Sequence, residues 1–78
     1  MQLILDTKGL HLGRDGQVFV ITAGERVQRS SVGKVSSIAV TRNCTIGTDA
    51  IMLAVEREIP ILLLDRLGRV MGRFWSPY

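Results

Sequence analysis

Over the first forty residues apolar and polar positions alternate with a period near two, and only later does the period lengthen. In "GLHLGRDG" Leu10 and Leu12 alternate with His11 and Gly13, the spacing of a strand with one covered face. "QVFVITAG" sets Val18, Val20 and Thr22 against Phe19, Ile21 and Ala23. That run is apolar on both faces and is expected to be a central strand. Asp15-Gly16 separates the two runs, a strong hairpin signal because glycine accepts positive φ. Ala23-Gly24 does similar work before "ERVQRS". "LILDTKGLHLGRDGQVFVITAGERVQRSSV" therefore reads as a β-meander, and "SSIAVTR" adds a strand with Ile38 and Val40 on one face.

The period then changes. "GTDAIMLAVEREIP" offers Thr48 as N-cap, Asp49 in the first turn and Pro60 beyond the end, the punctuation of a helix. Ile51, Ala54, Val55 and Glu58 fall along one side, widened by Ala50 and Leu53, while Met52, Glu56 and Arg57 point elsewhere. One amphipathic helix lying on the sheet is expected. "IPILLLD" is too short for a helix and apolar on both faces, so it reads as a buried strand; "RLG" turns it into "RVMGRFW". The last strand should finish before Pro77, which cannot donate to a ladder. The predicted fold class is β-rich α+β: a meander of about six to eight short strands, one helix over about residues 48–58 and a C-terminal hairpin.

A chain of 78 residues is a single domain, and at this size only about 60–65% of the unfolded surface is buried on folding. The apolar fraction of 46% is that of a folded protein. No apolar run approaches the roughly 18 residues that span a bilayer, and "MQLILDTKGLHL" lacks the basic start and long apolar centre of a secretory signal. The one cysteine, Cys44, has no internal disulfide partner. A cytoplasmic location is the expectation. Ten Lys and Arg against seven Asp and Glu give a net charge of +3, with the basic residues spread singly. That balance suits a nucleic-acid partner, whose phosphates Lys and Arg neutralise, and it equally suits an ordinary solvated surface.

Candidate chemistry is sparse. His11 has no Cys, Asp or Glu at metal-ligand spacing and reads as an exposed strand histidine. Cys44 has no base beside it and reads as a small, partly buried residue. Asp15 belongs to its hairpin turn, and Asp6 and Asp65 end strands, where aspartate usually bonds the local backbone. No phosphate-loop glycine pattern is present. The segment "TRNCTIGTD" has mild functional character: Arg42 precedes a helix start, with hydroxyls at Thr45 and Thr48 and a flexible Gly47. Free N–H groups and the helix dipole favour phosphate there, although the charge of Asp49 opposes it. Lys34, in "SSVGKVSS", is a second candidate in a polar loop.

Taken in order, "GLHLGRDG", "VSSIAV", "TIGTDAIMLAVEREIPILLLD" and "GRVMGRF" resemble the amino-terminal β-domain of the CRISPR spacer-acquisition integrase, from about Leu3 to Phe74. The resemblance implies that residues 1–75 form this β-domain and that 76–78 begin a linker to a helical catalytic domain absent from the chain. It implies a parent enzyme that uses Mg²⁺ or Mn²⁺ to insert short DNA fragments into a CRISPR array. The metal-binding carboxylates and histidine belong to the helical domain, so this chain is expected to carry no catalytic residue, metal or cofactor. Implied partners are a second copy in a homodimer, double-stranded DNA and a small second acquisition protein; no membrane is implied. DNA contact is expected through Arg26, Lys34 and Arg42, with Thr45 and Thr48 as further candidates. Some members carry an aromatic residue after the first strand, where this chain has Thr7-Lys8-Gly9. Two other readings stand beside this one: a self-contained dimeric β-rich nucleic-acid-binding module, and a structural interaction domain that never touches DNA.

Overall fold

A computed structural model of the chain describes residues 1–74. Its order is β1 (Gln2–Leu5), β2 (His11–Asp15), β3 (Val18–Ala23), β4 (Arg26–Ser31), a 3-10 turn (Val32–Lys34), β5 (Ser37–Thr41), β6 (Thr45–Ile46), α1 (Thr48–Glu56), β7 (Ile61–Leu64) and β8 (Val70–Phe74). The β-rich α+β class is as the alternation predicts. Trp75 and residues 76–78, where a linker is expected to begin, lie outside the described residues.

The strands form two four-stranded sheets, β1-β5-β7-β8 and β4-β3-β2-β6. The second sheet holds the predicted meander: β2 pairs with β3 and β3 with β4, all antiparallel. β3 is central, as its two apolar faces require, and Phe19 is fully buried. β1, however, leaves the meander. It pairs parallel with β5, Leu3 opposite Ile38 and Leu5 opposite Val40, and β5 pairs parallel with β7. The edge of β2 that β1 would have used belongs to β6, where Thr45 N–H donates to Leu10 O (3.0 Å) and Gly47 N–H to Leu12 O (2.8 Å).

The core lies between the sheets and under the helix. Leu5, Leu12, Phe19, Ile38, Leu53 and Ile61 are its largest fully buried side chains. The helix differs from expectation in three respects. Its N-cap is Gly47 (φ −72°, ψ 148°), not Thr48, because the ladder bond to Leu12 keeps the chain extended through residue 47. It stops at Glu56 rather than at about residue 58. Glu58 adopts φ 55°, Glu58 N–H donates to Val55 O (3.2 Å), and Ile59 N–H donates to Ala54 O (2.8 Å). These two bonds are a Schellman stop, which usually places glycine at the left-handed position. Finally, the buried stripe is Ala50, Leu53 and Ala54; Ile51 is half-buried and Val55 exposed.

β7 is interior to its sheet yet less covered than its composition suggests. Only Ile61 is buried, Leu62 and Leu64 are half-buried, and Leu63 is 37% exposed. Leu63 lines a cavity of about 440 Å³ with Val40, Cys44, Ile46 and Met71. The apolar run marks the strand correctly, but part of it is open to that cavity. Among the described residues no helix is long and apolar enough to cross a membrane.

Candidate functional site

The segment from Arg42 to Asp49 connects the two sheets and is fixed at several points. After β5 the chain turns through Arg42 and Asn43, and Cys44 N–H donates to Thr41 O (3.2 Å). Gly9 N–H donates to Asn43 O at 3.1 Å, so this turn lies against the loop between β1 and β2. Half-buried Cys44 strengthens the tie: its Sγ is 3.3 Å from the carbonyl oxygens of both Leu5 and Thr7. It is an internal fastening, as a small partly buried cysteine would be.

Thr45 sits opposite His11 in the parallel β2–β6 pair, and His11 Nδ1 meets Thr45 Oγ1 at 2.7 Å. The exposed strand histidine thus occupies the hydroxyl that the sequence offered to a ligand. Thr48 is exposed in the first helical turn and makes no capping bond. Asp49 Oδ1 accepts from Ala50 N–H at 2.7 Å. Its carboxylate therefore already fills part of the N-terminal field, as its charge foretold.

Arg26 and Lys34 lie toward opposite ends of β4, a strand whose six residues span about 17 Å. Arg26 lines a cavity of about 370 Å³ with Leu10, Ile21 and Val27, at the end of the meander sheet nearest the β1–β2 loop. Lys34 closes the 3-10 turn beyond the other end. Both are exposed, as is Arg42, and none of the three forms an ion pair among the described residues. The structure therefore joins Arg42, Thr45 and Thr48 on one short segment and sets Lys34 apart from Arg26.

A neighbour of Arg42 was not legible. The turn between β7 and β8 brings Arg66, Leu67 and Arg69 beside it, lining a cavity of about 290 Å³ together with Asp65 and Met71. Asp65 organises that turn. Its Oδ1 accepts from the N–H groups of Leu67 (2.8 Å) and Arg69 (2.9 Å), and Arg69 Nε donates to Oδ2 (3.0 Å). The Arg69 backbone N–H, then that of Leu67 and the guanidinium, hold the Asp65 carboxyl below its usual range. Asp15 likewise faces Arg29 (3.0 Å). Among the described residues no group of three or more His, Cys, Asp or Glu side chains is placed to hold a metal ion.

The fold and surface define a two-sheet α+β domain in which Arg26, Lys34 and Arg42 are exposed and, among the described residues, without an ion pair. Residues 3–78 match the family of CRISPR associated protein Cas1, and the chain belongs to that family. It is 26% identical over 78 residues to the CRISPR-associated endonuclease Cas1 1 of Archaeoglobus fulgidus, covering 99% of this chain and 23% of that protein. Its fold is similar to part of a Cas6-RT-Cas1–Cas2 complex (TM-score 0.89, 21% identity, 97% of this chain and 23% of that one). It is also similar to a Cas1–DNA complex (TM-score 0.79, 14% identity, 94% of this chain and 28% of that one). The chain thus spans about a quarter of the length of the relatives it matches.

Proposed function

We propose that this chain is the dimerisation and DNA-holding β-domain of an integrase that inserts new spacers into a CRISPR array. In this reading residues 1–75 form the domain, and 76–78 open a linker to a helical domain that holds the catalytic centre. The observation that carries it is the family match along residues 3–78 together with coverage of only 23% of the curated relative. The similar structures include one assembled with Cas2 and one bound to DNA, which supports a small second acquisition protein and a duplex as partners. A second copy would relieve the exposed edge of β4 and the modest core of so short a chain.

The chain's own contribution is positional. Arg26, Lys34 and Arg42 are exposed and without ion pairs among the described residues, so they can meet phosphates without first breaking a pair. Phosphate contacts fix a duplex in place and carry no sequence information, which suits a protein that must accept DNA of varied sequence. The Mg²⁺ or Mn²⁺ implied by the family resemblance does not fit these residues: Asp65 is taken by two backbone N–H groups and Arg69, and Asp15 by Arg29. The test is duplex binding by the full-length protein across a salt titration, comparing Arg26→Ala, Lys34→Ala and Arg42→Ala with the parent on two unrelated sequences. Each contact removed should weaken both duplexes alike and reduce the salt slope by about one. A parent that binds duplex without salt dependence, or not at all, would remove the DNA-holding role.

A further inference from the structure

We infer that the solvent face of α1, where Met52 and Val55 lead to Glu58, is a docking surface for a protein segment that presents an Arg or Lys beside an apolar side chain. Met52 and Val55 are three positions apart, so they are neighbours on one side of the helix. They are 60% and 38% exposed, whereas Ala50, Leu53 and Ala54 turn into the core. Glu58 follows at the helix stop, its N–H bonded to Val55 O (3.2 Å), and is itself exposed. The face is therefore an apolar pair ending in a carboxylate.

Glu58 is unfavourable in this place on two counts. Its φ of 55° is a conformation that glycine adopts freely and a residue with a side chain does not. Its negative charge also stands at the carboxyl end of a helix, where the dipole favours cations, and the last turn carries no basic residue to offset it. Glycine would relieve both. Within the domain nothing is gained in return: Glu58 forms no ion pair among the described residues. Its neighbours are engaged, Glu56 with Arg14 (3.3 Å) and Arg57 Nη1 donating to Gln17 Oε1 (3.4 Å). A local conflict of this kind marks a residue whose contact lies outside its own fold.

Charge complementarity names the occupant. A lone exposed carboxylate repels phosphate, and it cannot satisfy a hard divalent cation, which takes about six oxygen ligands. It suits one guanidinium or ammonium group. Beside it Met52 and Val55 offer an apolar contact, and the flexible methionine adapts to varied shapes. The surface is thus separate from the DNA-holding role.

The test follows the fluorescence anisotropy of a fluorescein-labelled Arg-Leu-Arg-Leu peptide titrated with the full-length protein. The variants are Glu58→Gly, Glu58→Lys and Met52→Ser. Glu25→Lys, at an exposed acidic residue in the turn between β3 and β4, is the control. Glu58→Gly removes the carboxylate without straining the helix stop, so its loss of binding is not a loss of folding. The peptide should bind the parent, with Kd raised about fivefold in Glu58→Gly and about tenfold in Glu58→Lys, where a like charge meets the peptide. Met52→Ser should raise it about threefold, and Glu25→Lys, remote from the face, should stay within about twofold of the parent. A parent that does not bind, Glu58 variants at parental affinity, or an equal loss in Glu25→Lys each overturns the inference. So does a dimer, seen by sedimentation, that dissociates in Glu58→Lys, because the face would then belong to a second copy.

Discussion

Leu53→Ala should be among the most damaging single changes in this chain, and the structure shows why. Helix α1 buries only Ala50, Leu53 and Ala54, so Leu53, at 0% exposed, is its one large anchor in the core. Removing a buried leucine costs about 2–5 kcal/mol, the upper part arising where neighbours cannot fill the space. Two flanking alanines cannot reach into the gap, and the facing side chains belong to paired strands. A loss of about 3–4 kcal/mol is therefore expected, from a total of about 4–12 kcal/mol for a chain this short. Urea unfolding followed by circular dichroism should show the midpoint fall by about 3–4 M at an unchanged slope, for a slope near 1 kcal/mol/M. Met52→Ala, one position away and 60% exposed, should stay within about 0.5 kcal/mol of the parent. If Leu53→Ala also stays within that margin, the helix does not rest on the sheets as described, and the fixed connection from Arg42 to Asp49 loses its support.

Glu58→Gly should stabilise the chain by about 0.5–1 kcal/mol in the same assay, because a left-handed non-glycine residue costs about 1–2 kcal/mol and glycine returns part of that as unfolded-state entropy; a loss would show that the Glu58 side chain has a contact worth more than its strain. The folded-state pKa of Asp65 is depressed, so its contribution is present above the unfolded value and is lost as pH falls through the folded one. The amide resonances of Leu67 and Arg69 should therefore titrate with a midpoint below 3.8, and a midpoint at or above that value would contradict the turn geometry. Sedimentation at micromolar concentration should show a dimer of about twice the 8.6 kDa chain mass, and a strict monomer at millimolar concentration would end the assembly role for this domain alone.

How much of this was legible depends on how local each determinant is. The hairpins declare themselves through residues that need positive φ: Gly16 and Gly24 both sit at 62°, and Gly68 at 81°. The central place of β3 follows from its own composition. The parallel pairing of β1, β5 and β7 does not, because nothing in a four-residue strand names a partner more than thirty positions away. The helix stop was misplaced for a different reason: a Schellman ending usually announces itself with glycine, and here glutamate holds that position. Arg42, Thr45 and Thr48 were visible as one loop beside a helix start. The company Arg42 keeps with Lys8 and Arg66 was not, since it depends on strand order, and the bond from His11 to Thr45 depends on a parallel register.

The division of paired and unpaired charge matters more for function than for stability. Arg14 reaches Glu56 at 3.3 Å and ties β2 to α1; Arg29 reaches Asp15 at 3.0 Å within the meander sheet; Arg69 reaches Asp65 at 3.0 Å inside one turn. Exposed pairs of this kind contribute about 0–1 kcal/mol each, too little to hold the fold against the loss of one core leucine. Their consequence is where they leave positive charge unspent. Among the described residues Lys8, Arg26, Lys34, Arg42, Arg57 and Arg66 are exposed and form no ion pair. A net charge of +3 spread evenly would give a diffuse field and little preference for any approach. Held instead by exposed side chains that need break no ion pair, it is available to phosphates before a ligand arrives, which suits the proposed DNA-holding role.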